Sequence, residues 1–458
     1  MIKSFIQIKN WQDLLLLFVA CACLLATAIQ YPLSTTFPIG GDAAAIIQRV
    51  QHTTTDPIQT IKNISHTWYP VSYLLFSINS LIPHVYWPIA FSWWMAIGQL
   101  FTGIALGILL YRLGGMQASA LAIALWAITP IIMTSFFEDG TMAQLWSLPW
   151  IIFFLERMAA KSFKGMAIFA LLSVFSHPIT GFVLIATLII TAMISDKRIF
   201  LLAILASIIP VIILYIRQSI LYIPFTRESS SHIFELLHGF YFPWLLAAIY
   251  GWYSFLQKYK KNNLLIIGFG SFLFVSFLLG LNDYIGIGFW THRVDIYLVL
   301  FVIIMGSIGF SGLLKNLLNP TFAAIFSCVL IIGLTLSIFH DNENIYKRYE
   351  SPSTYSRIHP QELLAIDWMN KNLPVDTTVF TSAETRNYEW IPVLTPLKWI
   401  LVSNTPYLFH NQISNAQNPV IIFFTRKDNV PDSVRNDSEH YNLLYENPSV
   451  KIYSIASL

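Results

Sequence analysis

Three short charged stretches stand out from an otherwise apolar chain. The first is Gly40-Gly41-Asp42, just ahead of Ile46, Ile47 and Val50, whose spacing puts them on one face of a helix starting after Asp42. An aspartate behind two glycines is well suited to cap the free N–H groups of a helix start. The same carboxylate can take a proton from an acceptor hydroxyl or amide, or bind a divalent metal. A cap also fixes the carboxylate's position, so the two roles are compatible. The second stretch is Phe137-Glu138-Asp139-Gly140. Asp139-Gly140 is ordinary turn chemistry, yet the pair lies between two apolar runs, where charge is costly and tends to be functional. Adjacent residues face apart, so one of the two is expected to work while the other caps. The third is Trp290-Thr291-His292-Arg293-Val294-Asp295. Two residues apart on a helix, Arg293 and Asp295 cannot pair with each other. A guanidinium at a membrane boundary can grip a lipid phosphate bidentately; the bland alternative is snorkelling to the headgroups. His66 and His177 are weaker candidates, since a lone histidine near a helix end is more often structural. His177 is kept because Ser176-His177-Pro178 breaks an apolar run. No nucleophile triad, phosphate-cradling glycine loop, zinc cluster or nucleic-acid surface is visible.

The elements that must position these residues are membrane spans. Of 458 residues, 55% are hydrophobic and 11% charged, against about a quarter charged in a soluble protein. Apolar runs near the ~20 residues needed to cross a bilayer fall at Leu14–Ile29, Trp87–Tyr111, Met116–Met133, Met142–Leu155, Met166–Phe175, Ile179–Ile194, Ile199–Tyr215, Phe240–Leu256, Leu264–Leu281, Asp295–Leu313 and Phe322–Phe339. The expectation is an all-α polytopic membrane protein of about 11 transmembrane helices. The first run lacks a small-residue cleavage site and reads as an uncleaved span. Cys21, Cys23 and Cys328 sit inside apolar runs without metal-type spacing. With the N-terminus cytoplasmic, the inner loops hold Lys3, Lys9, Arg112, Arg157, Lys161, Lys164, Lys197, Arg198, Lys258, Lys260, Lys261 and Lys315. The outer loops hold only Arg49, Lys62, Arg217, Arg227 and Arg293 before the C-terminal region. That asymmetry orients the chain and puts Asp42 outside. The first outer loop (30–86) carries short apolar-faced segments, a second of which opens at Asp56-Pro57, and the aromatic stretch Trp68–Phe76.

After His340 the composition turns polar. Pro360–Asn372 reads as a helix, Thr377–Thr381 and Val420–Thr425 as strands, and Leu443–Tyr445 with Val450–Ile455 as a hairpin around Asn447-Pro448. Residues 1–340 therefore read as the membrane domain and 341–458 as a small extracytoplasmic α/β domain.

This arrangement resembles the GT-C superfamily of membrane glycosyltransferases, which includes oligosaccharyltransferase catalytic subunits, protein mannosyltransferases and lipid A aminoarabinose transferases. Gly41-Asp42 matches the catalytic acid of their long first loop, Phe137-Glu138-Asp139-Gly140 their second acidic motif, and Trp68-Tyr69-Pro70 their tyrosine-proline element. Arg293 matches a late arginine that holds the lipid phosphate. The Trp-Trp-Asp tripeptide of oligosaccharyltransferases is missing, which disfavours peptide N-glycosylation. The resemblance implies inverting transfer of a sugar from a polyprenyl-phosphate-linked donor to a lipid, glycan or protein acceptor at the cell envelope. Asp42, Glu138 and Asp139 are the expected catalytic residues, and Arg293, His292, His66, Tyr69 and His177 the expected substrate-binding ones. Asp42 and Asp139 are also candidate ligands for a divalent cation, Mg or Mn. Two rivals are a transporter or flippase of a lipid-linked or polar solute, which needs charges in mid-span and broken helices, and a non-catalytic relative with the same architecture.

Overall fold

A computed structural model of the chain describes residues 10–34, 41–53, 70–82, 85–129, 136, 141–195, 197–217, 241–281, 291–350, 358, 360–382, 390–402, 420–425, 430 and 432–455. The bundle helices are α1 (Trp11–Ser34), α4 (Trp87–Gly114), α5 (Met116–Ala127), α6 (Met142–Ala159), α7 (Phe163–Ser176), α8 (Pro178–Ile194), α9 (Lys197–Arg217), α10 (Tyr241–Tyr259), α11 (Asn263–Gly280), α12 (Thr291–Leu317) and α13 (Pro320–Glu350). Between α1 and α4 lie α2 (Gly41–Thr53) and α3 (Pro70–Ser77). Each apolar run expected to cross the membrane is thus a helix. Among the described residues, five helices are both long and apolar enough to cross by themselves: those of α1, α4, α11, α12 and α13.

Local chemistry sets the helix ends. Pro88 opens α4, and Gly115, at φ 85°, ends it in a left-handed turn that few side chains tolerate. Asn262 caps α11 by accepting from Leu265 N–H at 3.4 Å. Pro178 opens α8 behind His177, whose extended backbone (φ −160°) is what a residue before proline prefers. Large apolar side chains such as Phe18, Ile104, Phe182, Met193 and Leu336 face outward, the surface that lipid rather than water can cover.

The helices alternate in direction, so the bundle has two chemically different ends. At one end Glu156 (α6) is fully buried, accepts from Arg112 Nε (α4) at 2.7 Å and forms an ion pair with Arg157, Nε at 2.5 Å. Beside them Lys258 Nζ and Tyr259 OH (α10) both donate to the Leu113 carbonyl, at 2.7 and 3.0 Å. Glu156→Gln is expected to lower stability by only about 1–2 kcal/mol. The two arginine side chains are about a third exposed and can turn to water once the carboxylate is gone, so no charge is stranded. Thermal unfolding in detergent measures it.

The other end carries α2, α3 and the C-terminal region. α13 is 31 residues long, about 46 Å, and runs unbroken through the expected division at 340/341. It is tied to α1 where Gln30 Nε2 donates to the Phe339 carbonyl at 3.0 Å and Asn342 Nδ2 to Gln30 Oε1 at 3.1 Å. Beyond it come α14 (Pro360–Asn372), β1 (Thr378–Ser382), α15 (Ile391–Leu394), β2 (Lys398–Val402), β3 (Val420–Thr425), α16 (Asp432–Arg435), β4 (Tyr441–Asn447) and β5 (Val450–Ile455). The sheet runs β2-β1-β3-β5-β4, parallel among the first three and antiparallel thereafter. One face, with Val379, Ile421, Phe423 and Ile452, packs with Ala365, Ile366 and Met369 of α14 and continues into the bundle core. The opposite face closes as a separate cluster around Phe380, Ile422 and Phe424. β2 was not expected from the sequence.

Candidate active site

α2 lies between bundle and sheet domain. Its Ala43, Ala44, Ile46, Ile47 and Val50 are buried, as the helical spacing of those residues requires. Gln51 Nε2 donates to the Val393 carbonyl of α15 at 3.3 Å. The helix begins at Gly41, two residues earlier than expected. Asp42 therefore stands inside the first turn rather than ahead of it, where the aligned peptide dipoles still favour a negative charge.

Beneath this end, within a turn or two of the helix starts, is a buried polar patch built from five elements. Ser72 (α3) donates to the Ser176 carbonyl at 3.2 Å, with the Ala143 carbonyl at 3.4 Å. These bonds tie α3 to the end of α7 and the start of α6. Ser147 Oγ (α6) lies 2.6 Å from the Gln144 carbonyl and 2.5 Å from Thr180 Oγ1 (α8). Thr180 Oγ1 is in turn 2.5 Å from Tyr297 OH (α12). His177 and Asp295 belong to the same depth, 3% and 1% exposed. So many buried polar groups at one level of an apolar bundle mark a functional region.

The expected site residues divide as follows. His177 is brought to the patch at the junction of α7 and α8. His292 and Arg293 lie in the first turn of α12, three and two residues before Asp295. Among the expected residues outside the described ones are Glu138, Asp139, His66 and Tyr69, together with the segment opening at Asp56-Pro57; the side chains of Asp42, His292 and Arg293 are also outside them. Among the described residues no group of three or more His, Cys, Asp and Glu could hold a metal ion. Ser147, Thr180 and Tyr297 were not expected. One signal was available: Tyr297 is four residues after Arg293 and hence on its helical face.

The helices, the loop elements of one end and the small sheet define an integral membrane protein whose fold is similar to that of solved GT-C glycosyltransferases. ArnT from Cupriavidus metallidurans in the apo state aligns with a TM-score of 0.62 over 95% of this chain and 97% of that one, at 9% identity. The same protein bound to undecaprenyl phosphate gives 0.57 over 96% and 97%, also at 9% identity. The apo oligosaccharyltransferase of Archaeoglobus fulgidus gives 0.58 over 92% and 70%, at 11% identity. At such identities the likeness is one of fold. No family model and no curated protein sequence matches the chain.

Proposed function

We propose that this protein transfers a sugar, with inversion, from a polyprenyl-phosphate-linked donor to an acceptor at the bundle end that carries α2. The observation that carries the reading is the convergence there of α3, α6, α7, α8 and the first turns of α12 on a buried polar patch, with α2 packed against α3. The undecaprenyl phosphate bound by the similar ArnT structure supports the donor class. In the reaction, Asp42 takes the proton from the acceptor as the acceptor bonds to the anomeric carbon. The bond from that carbon to the phosphate oxygen breaks on the opposite face, and the lipid phosphate leaves with the electron pair. Arg293, with His292, neutralises the departing phosphate, while Glu138 or Asp139 orients the acceptor. One or two carboxylates completed by phosphate oxygens and water is the usual donor set of Mg²⁺, and Asp42 with Asp139 fits it. A cation bound there would supply positive charge to the leaving phosphate.

The same proposal puts the N-terminus in the cytoplasm and the sheet domain outside it. Supporting this, Arg112, Arg157, Lys161, Lys164 and Lys258 gather at the end opposite α2. Against a transporter, the buried charged groups of the described bundle, Glu156 and Asp295, lie near helix ends rather than in mid-span.

The test is the melting temperature of detergent-purified protein titrated with undecaprenyl phosphate. Stabilisation is expected for the wild type, at 100 times the Kd by about 2.7 kcal/mol, and is expected to vanish in Arg293→Ala. No stabilisation of the wild type would discard the donor assignment.

A further inference from the structure

The hydroxyls of Tyr297, Thr180 and Ser147 form a chain across three helices whose direction follows from chemistry. The Gln144 carbonyl, 2.6 Å from Ser147 Oγ, can only accept, so it takes the Ser147 proton. Ser147 then accepts from Thr180, and Thr180 from Tyr297, each at 2.5 Å. Every hydroxyl proton in the series is thereby committed. All three residues are fully buried. A fully satisfied series of this kind holds its helices in one relative rotation, because any other leaves hydroxyls unpaired in an apolar interior. Such rotation matters at α12: Arg293 is one turn before Tyr297 on the same helical face. Asp295, two residues from each, lies on another.

We propose that the Tyr297–Thr180–Ser147 series is a positioning device for the lipid phosphate. It sets the rotation of the first turns of α12, and with it the bearing of position 293 towards α6 and α8. Ahead of α6 in the chain stand Glu138 and Asp139, so the series joins the phosphate-holding element to the one that follows the second acidic motif. The proposal rests on Arg293 as the phosphate holder. A mere adhesive role for these bonds would change stability and leave affinity alone.

The experiment measures the Kd of the purified full-length protein for undecaprenyl phosphate, with the melting temperature of the lipid-free protein recorded beside it. Thr180→Val removes both bonds with little change of shape, Tyr297→Phe removes the first donor, and Thr180→Ser keeps the hydroxyl. Thr180→Val and Tyr297→Phe are each expected to weaken binding roughly tenfold, and Thr180→Ser to stay within about twofold. In an Arg293→Lys background Thr180→Val is expected to add little, since the residue it acts through has already been altered. Unchanged affinity in Thr180→Val and Tyr297→Phe, with or without a lower melting temperature, would overturn the proposal. Full additivity with Arg293→Lys would do the same. A wild type that fails to bind at all removes the phosphate reading itself, an outcome distinct from normal wild-type binding that the variants leave untouched.

Discussion

Asp42→Asn is expected to reduce sugar transfer by at least about a hundredfold while the melting temperature and the affinity for undecaprenyl phosphate stay near wild type. The amide has the shape of the carboxylate and no basicity, so it cannot take the acceptor's proton. The helix bearing it does not depend on that charge: α2 is held by Ala43, Ala44, Ile46, Ile47 and Val50, all buried, and by Gln51 on the Val393 carbonyl. A first-turn carboxylate contributes only about 0.3–1 kcal/mol through the helix dipole. Transfer assays with radiolabelled lipid-linked sugar, run beside thermal melts, separate the two effects. Full turnover in the variant would make Asp42 a helix-end residue and nothing more. Loss of turnover together with a collapsed melting temperature would equally fail to support a base.

Gly309→Ala is expected to cost about 3 kcal/mol of stability. α10 and α12 cross with their backbones in contact. A Cβ on Gly309 would overlap the Ala247 carbonyl and lie 2.7 Å from the Gly251 nitrogen. One on Gly251 would overlap the Met305 carbonyl and lie 2.8 Å from the Gly309 nitrogen. Both obstacles are backbone, so no side chain can swing aside and the helices must part. Small residues at such crossings are how membrane helices gain dispersion contact without a hydrophobic drive between them. Because α12 also carries Arg293 and Tyr297, lipid-phosphate affinity is expected to fall with stability. Gly333→Ala is the control: nothing stands within 4 Å of a Cβ there, and alanine is the better helix former. It is expected to be neutral or slightly stabilising in the same melts, and an equal loss at both sites would dismiss the crossing as the cause.

Composition and the lengths of apolar runs were enough to place the bundle helices, because a single apolar segment satisfies its own backbone in lipid only as a helix. Helical spacing likewise placed Pro360–Asn372 to the residue, a short apolar run placed β3, and the turn at Asn447-Pro448 placed β5. β2 escaped, since Lys-Trp-Ile-Leu-Val is short and becomes a strand through parallel pairing with β1, a partner that local pattern does not reveal. The charged stretches around Asp42 and Arg293 stand out in the sequence for the same reason as the apolar runs: a charge in an apolar chain is expensive. The hydroxyl series does not. Most serines and threonines of these helices bond their own backbone one turn back, as Thr102, Thr187, Thr191 and Ser276 do, and nothing in their neighbours distinguishes Thr180 from them.

Sequence alone therefore determined that this chain belongs in a membrane and which apolar stretches form its helices, because burial of backbone is decided segment by segment. Only the tertiary structure decided that Ser147, Thr180 and Tyr297, 33 and 117 residues apart, share one line of hydrogen bonds. The rotation of each helix about its axis depends on every neighbour it packs against, and no single segment contains that information.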